Sequence, residues 1–217
     1  MSSDIGQQFS DVAGVVIAGG RSVRFGGEKA VAGLAGKPLL MWAVERLRRS
    51  CGVVAVNARP GTEAEALARA EGVPVLHDAP GDAAGPLAGV KVGLAWALEV
   101  GARTLAVSPC DVPLLPDSLF HRLLAAAGSG AALAETSEGH QPLCAVWPVG
   151  ALARVTEALA EGRHPPTWLV LETIGAVRVR FPAPEAFANI NTRADLAAIA
   201  GRLEREEWAR SSRPHQP

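Results

Sequence analysis

The sequence predicts a single three-layer α/β domain, residues 1–209, built on a mainly parallel, mixed sheet. Three observations lead there. Short apolar runs alternate with helical patterns through the first half, as parallel strands joined by crossover helices do. The second half holds strand pairs with shorter links, so some pairing should be antiparallel. Each group of chemistry-bearing residues, at 19–29, 57, 78 and 111, directly follows a strand, which lines them along one edge of the sheet. No repeat or linker divides the chain. Residues 210–217, RSSRPHQP, contain nothing that would join a core and are expected to be a disordered tail.

The elements follow in order. Residues 12–17 are apolar and rich in valine, as a buried strand requires. The stretch 38–49 carries Leu39, Leu40, Ala43, Val44 and Leu47 on one helical stripe, with Pro38 in the first turn and Gly52 as the stop. A strand at 53–56 ends at Asn57. Thr62 caps a helix running to 72, and a strand at 73–76 ends in His77-Asp78. Residues 79–89 are rich in glycine and proline and read as a mobile loop. A helix at 87–100 and a strand at 104–107 come next, delivering Asp111. Asp117-Ser118 should cap a helix through Leu123 and Ala127. Strands are expected at 131–134, 142–147 and 177–181, with helical patterns at 149–161, 169–174 and 189–202.

Composition narrows the function. At 217 residues, 48% hydrophobic and 20% charged, the chain can bury the core of one such domain. A net charge of −1 argues against a nucleic-acid binder, whereas a nucleotide needs only a local cluster of cations. Cys51, Cys110 and Cys144 are odd in number and widely spaced, without a C-x-x-C. They read as reduced thiols of a cytoplasmic protein rather than a zinc site or disulfide framework. The polar start MSSDIGQQFS lacks the marks of a secretory signal, and no apolar run approaches the ~20 residues of a membrane helix.

The loop after the first strand, IAGGRSVRFGGEK, combines Gly19-Gly20 and Gly26-Gly27 with Arg21, Arg24 and Lys29. Glycines let backbone N–H groups converge on an anion, and the cations add charge for phosphate. A plain tight turn is the competing reading. The loop is neither a P-loop, since Gly36-Lys37 is followed by proline, nor a dinucleotide fingerprint, since Arg21 and Phe25 displace its glycines. Asp111, in Pro109-Cys110-Asp111-Val112-Pro113, is the candidate magnesium ligand, because that ion takes one or two carboxylates plus substrate phosphates. A turn cap is the plainer alternative. Asn57 and Asp78 could equally end a strand and form an Asx-turn.

Together these segments resemble one family, the molybdenum cofactor guanylyltransferases, within the superfamily that has a nucleotide-diphospho-sugar transferase-like fold. The loop is similar to L-A-G/A-G-x-S-x-R-M-G-x-x-K. PCDVP matches the P-C-D-x-P metal motif, Gly85-Pro86-Leu87-Ala88-Gly89 matches G-P-L-A-G, and FANINTRADL at 187–196 matches F-x-N-x-N-T-P-E-D-L with Arg193 replacing proline. The match spans 12 to about 196. It implies Mg2+-dependent transfer of GMP from GTP to molybdopterin, with pyrophosphate leaving. Arg24, Lys29 and Asp111 would be catalytic, with Asp111 holding the metal. Ile17, Ala18, Gly19, Gly20, Lys29, Asn57, Asp78, Gly85, Pro86, Leu87, Asp111, Asn189 and Asn191 would line the nucleotide and acceptor sites. Molybdoenzyme apoproteins or cofactor-delivery proteins are the implied protein partners. His140, in HQPLCAVW, and Arg163 are further candidates near the acceptor.

Alternatives stay open: a cytidylyltransferase for the same cofactor or another small-molecule nucleotidyltransferase, a non-catalytic nucleotide-binding module, and a glycosyltransferase of related fold. Cytidylyl relatives usually carry alanine where this chain has Gly19, which favours the guanylyl branch. Gly27-Glu28-Lys29 is one residue shorter than the family's G-G-x-D-K, so the reach of Lys29 depends on how the loop folds.

Overall fold

The computed structural model describes residues 10–20, 23–81 and 85–211. Arg21, the middle of the 79–89 loop and the tail beyond 211 therefore lie outside the described residues, as does the N-terminus through 9.

The strands are β1 (Val12–Ile17), β2 (Gly33–Leu34), β3 (Lys37–Pro38), β4 (Val53–Asn57), β5 (Val75–Leu76), β6 (Thr104–Pro109), β7 (Ala132–Thr136), β8 (Gly139–Pro148) and β9 (Val177–Arg180). The helices are α1 (Leu39–Arg48), α2 (Glu63–Ala70), α3 (Pro86–Glu99), α4 (Leu119–Ala127), α5 (Leu152–Leu159), α6 (Thr167–Thr173) and α7 (Arg193–Ser211). Among the described residues, seven strands form one sheet in the order β5-β4-β1-β6-β8-β7-β9. β5, β4, β1 and β6 pair in parallel, β8 runs antiparallel to both neighbours, and β9 pairs in parallel with β7. The mixed, mainly parallel sheet predicted from the alternation is the one present.

Period-two alternation builds the two apolar layers. Val12 and Val16 face α1, α2 and α4, where they meet Leu40, Val44, Leu47, Ala64, Ala68, Leu119 and Phe120. Ala13 and Val15 face α3, α5 and α6, where Leu87, Leu94, Val155, Leu171 and the fully buried Trp147 complete the core. Burying each large side chain of this kind is worth about 1.5–3 kcal/mol before the entropy of ordering it.

A third cluster matters most for function. Phe25, Leu34, Leu39 and Ile190 are buried together, with Trp42, Leu196, Ile199 and Leu203 packed around them. Phe25 belongs to the glycine-rich loop, and Leu196, Ile199 and Leu203 belong to α7, so the last helix clamps the loop.

The topology reverses between β1 and β6. The chain leaves β1 for β4 on one side, whereas β6 stands on the other side with β8 as its next neighbour. In an open α/β sheet, the crevice beyond the carboxyl ends of two such strands is the natural ligand site.

Several local expectations change. The segment after Lys29 folds as the small β2–β3 hairpin, turning through Ala35 (φ 49°) and Gly36 (φ 76°). Two left-handed centres are what a tight hairpin needs, but alanine in the first position conceals the signal. Asp117 does not cap α4. Its exposed carboxylate pairs with Arg46 and Arg49, and the N-cap Ser118 makes no side-chain cap bond. β8 starts earlier than expected, because Thr136 and Gly139 pair across a tight turn. The last helix runs to Ser211, two residues into the stretch expected as tail. Thr62 does cap α2, its hydroxyl accepting from the Glu65 N–H at 3.4 Å.

Candidate active site

The edge of the sheet at the β1/β6 reversal opens into a cleft of about 450 Å³, within the range of small-molecule sites. Ile17, Ala18, Gly19, Gly20 and Lys29 line it from the loop, Asn57 and Asp78 from the ends of β4 and β5, Gly85 and Pro86 from the start of α3, and Asp111 from beyond β6.

The sheet consumes part of the loop backbone. The Ala18 N–H donates to Asn57 O at 2.9 Å, and the Ile17 carbonyl accepts from the Cys110 N–H at 3.3 Å. Gly19 and Gly20 then leave the ladder and line the cleft. An added Cβ at Gly20 would meet nothing within 4 Å, which confirms open space above it.

Lys29 reaches the centre. Its Nζ donates to Asp111 Oδ2 at 2.7 Å and to Asn191 Oδ1 at 3.4 Å, with the Lys29 and Asp111 side chains only 12% and 22% exposed. These groups come from residues 82 and 162 positions away from Lys29. Two devices make the meeting possible. Glu28, the residue just before, accepts from the Glu63 N–H at 2.6 Å and the Ala64 N–H at 3.1 Å. It thus docks the loop on the first turn of α2, where a carboxylate is favoured by the helix dipole. On the other side the Ile190 N–H donates to Asp111 O at 2.9 Å, which ties the segment carrying Asn191 to the end of β6. The short Gly27-Glu28-Lys29 spacing therefore leaves Lys29 in the site.

Asn57 is 3% exposed, and its Nδ2 donates to Asp78 Oδ1 at 2.9 Å and to Leu76 O at 3.4 Å. The bond orients Asp78, and among the described residues nothing is bonded to its other carboxylate oxygen. Gly89, the last residue of GPLAG, has a packing role: an added Cβ there would stand 2.4 Å from Asn57 Oδ1 and 2.9 Å from Ile17 Cδ1. Only glycine lets α3 come so close to the site wall.

Other candidates lie apart from this centre. Leu87 is wholly buried in the core under α3 and turns no side chain to the cleft. Asn189 is exposed, and neither it nor Asn191 belongs to the lining, although Asn191 touches the site through its bond to Lys29. Arg24 is exposed on a 3-10 turn (Val23–Phe25) outside the lining, and its charge acts on Asp195. Asp195 is held below its ordinary value chiefly by N–H groups of Asn191 and Thr192 donated to its carboxylate. Arg163 folds back on α5, donating to Ala160 O and Glu157 O, and so closes a helix end. His140 lies outside the lining, its Nδ1 3.4 Å from Glu135 Oε1 without a hydrogen bond and its ring centre 6.1 Å from that of Trp168.

The lining also includes Arg59, Ala30, Cys110 and Leu143, which sequence reasoning did not single out. Arg59, two residues beyond Asn57, was the most legible of these, because it follows the same strand end. Burial pushes the Cys110 thiol up to about 12, so it borders the site as an inert neutral group.

Comparison with known proteins supplies the remaining observation. The chain matches the family model described as MobA-like NTP transferase domain over residues 14–172. It is 36% identical over 194 residues to a protein of Cereibacter sphaeroides named molybdenum cofactor guanylyltransferase, covering 89% of this chain and 97% of that one. The chain belongs to the molybdenum cofactor guanylyltransferase family. A Rhodobacter capsulatus member of that name is 37% identical over 88% of this chain and 96% of its own. The fold agrees as well: the crystal structure of molybdopterin-guanine dinucleotide biosynthesis protein A from Archaeoglobus fulgidus superposes with a TM-score of 0.71 at 22% identity, covering 89% of this chain and 99% of that one. Glu28, Lys29, Asn57, Asp78 and Asp111 all fall inside the matched segment, whereas Asn191 and α7 lie beyond it. Among the described residues no helix is long and apolar enough to cross a membrane.

Proposed function

We propose that the chain transfers GMP from GTP to molybdopterin, giving the guanine dinucleotide cofactor and pyrophosphate. The observation that carries this reading is the convergence of Lys29, Asp111 and Asn191 beneath the glycine loop, with the Asn57–Asp78 pair across the cleft. The names borne by the 36–37% identical relatives support the same chemistry.

Nucleotidyl transfer asks mainly for positioning and neutralisation of charge. On this reading the N–H groups of Gly19 and Gly20 and the Lys29 ammonium would hold the polyphosphate, with Arg24 adding charge from outside the lining. A terminal phosphate of the acceptor is already largely ionised near neutral pH, so it needs no general base to attack the α-phosphorus. Asp78, oriented by Asn57, suits the adjacent N1–H and N2 donors of guanine, whereas cytosine offers a carboxylate only its single exocyclic amino group.

The donor set around Asp111 fits magnesium brought in with the nucleotide rather than a metal caged by protein. Among the described residues no group of three or more His, Cys, Asp or Glu side chains converges, and Mg2+ characteristically takes one or two carboxylates and fills its shell with phosphates and water. When bound, the ion would neutralise charge on the phosphates next to Asp111. Handing the product to a molybdoenzyme or delivery protein belongs to the same reading.

The test is turnover with GTP, Mg2+ and molybdopterin, followed by pyrophosphate release, with CTP and ATP in parallel. GTP should give the highest kcat/KM. A preference for CTP would move the chain to the cytidylyl branch, and no release with any nucleotide would refute the transferase reading.

A further inference from the structure

Arg193, the first residue of α7, stands where FANINTRADL departs from the pattern it otherwise follows, and the structure gives that position a partner. The Arg193 guanidinium carbon lies 5.2 Å from the centre of the Phe25 ring, inside cation–π range. Its Nη2 stands beside the loop, since a Cβ added to Gly27 would lie 3.8 Å from it. Phe25 itself is 4% exposed, locked among Leu34, Leu39 and Ile190. The ring is therefore a fixed platform, and the guanidinium rests on it at the mouth of the glycine loop.

The donors of this guanidinium remain available. Arg46, Arg69 and Arg178 are paired with Asp117, Glu65 and Glu172, but among the described residues no carboxylate pairs with Arg193. Nearby acids are committed elsewhere: Glu28 to the N–H groups of Glu63 and Ala64, and Asp195 to those of Asn191 and Thr192. A planar fork of five N–H donors held by its face, with its edge unspent, is suited to a phosphate.

We propose that Arg193 is a further polyphosphate-binding residue, holding the β- and γ-phosphates that leave as pyrophosphate. The inference rests on the nucleotidyltransferase reading above. As the acceptor oxygen bonds to the α-phosphorus, the bond from that phosphorus to the bridging oxygen breaks and its electron pair passes to the pyrophosphate. Arg193 counters the charge that gathers there from its place beside Phe25 and Gly27 of the loop.

The test measures binding of inorganic pyrophosphate and of GTP by calorimetry, and product inhibition by pyrophosphate, for the wild type, Arg193→Met, Arg193→Lys and Phe25→Leu. The Arg193 side chain is exposed and carries little of the fold, so its variants should melt near the wild type. Loss of a charged hydrogen-bond donor predicts roughly ten- to hundredfold weaker pyrophosphate binding in Arg193→Met. Lysine should restore part of this, and Phe25→Leu should lose a smaller part by removing the platform. Unchanged pyrophosphate affinity in Arg193→Met, with or without a shifted melting temperature, would make Arg193 a packing residue and overturn the proposal. A wild type that binds pyrophosphate but not GTP would defeat the guanylyl reading and leave this one standing. A wild type that binds neither would defeat both.

Discussion

Replacing Asp111 with asparagine separates the folding role of this residue from its chemical one. In the free protein its carboxylate accepts from Lys29 at 2.7 Å, with the two side chains 12% and 22% exposed. Breaking a fully buried pair costs about 3–5 kcal/mol, and an exposed pair is worth about 0–1 kcal/mol. This pair lies between those limits, and the asparagine oxygen can still accept from Lys29, so a loss of about 1–2 kcal/mol is expected. For a chain of this size that lowers Tm by about 2–8 °C. Activity should fall much further. Asparagine cannot supply the charge that magnesium and its phosphates need, and removing one electrostatic stabiliser commonly costs about 10²–10³ in rate. The assay is pyrophosphate release with GTP, molybdopterin and Mg2+, run beside a thermal melt. Near-normal magnesium-dependent turnover would refute the argument, because another group would then have to hold the ion. A collapse of the melt together with the rate would show that the pair serves the fold rather than the reaction.

The same geometry sets the other expectations. Lys29→Ala should weaken GTP binding roughly ten- to hundredfold by calorimetry, since a charged donor to phosphate is lost. The same variant should bind Mn2+ more tightly than wild type in the absence of nucleotide, read by electron paramagnetic resonance, because the ammonium no longer competes for Asp111. Gly19→Ala should fold normally, as its added Cβ would meet Asn57 Oδ1 at an ordinary 3.8 Å, yet it should lower kcat/KM for GTP more than for CTP by placing a methyl in the cleft. Unaltered selectivity would remove Gly19 from base recognition. The thiols of Cys51, Cys110 and Cys144 are buried, and burial pushes the first two up to about 12, so native protein at pH 8 should react slowly with iodoacetamide and quickly once denatured. Rapid labelling of Cys110 in the native state would mean that the floor of the cleft is open.

By itself the sequence determined the fold class, the edge of the sheet that carries the site, and most of the residues in it. These are legible because each rests on a local pattern: the valine-rich run before Gly19, the apolar stripe of 38–49, a carboxylate directly after a buried strand at Asp111. The physical reason is that strand and helix periodicities are properties of neighbours in the chain, and parallel strands deliver their C-terminal loops to one side. What depends on partners far apart was decided only in three dimensions. Leu87 sits in the same GPLAG segment as Gly85 and Pro86, yet the helical turn carries its side chain into the core. Arg163 has the charge of an acceptor ligand but spends it on the end of α5. Nothing near Glu28 announces that it will cap α2, 35 residues away, and so aim Lys29 at Asp111. The contact between Arg193 and Phe25, 168 positions apart in the chain, exists because α7 folds back over the glycine loop. A sequence pattern can name a cation, but only packing fixes where its charge is held.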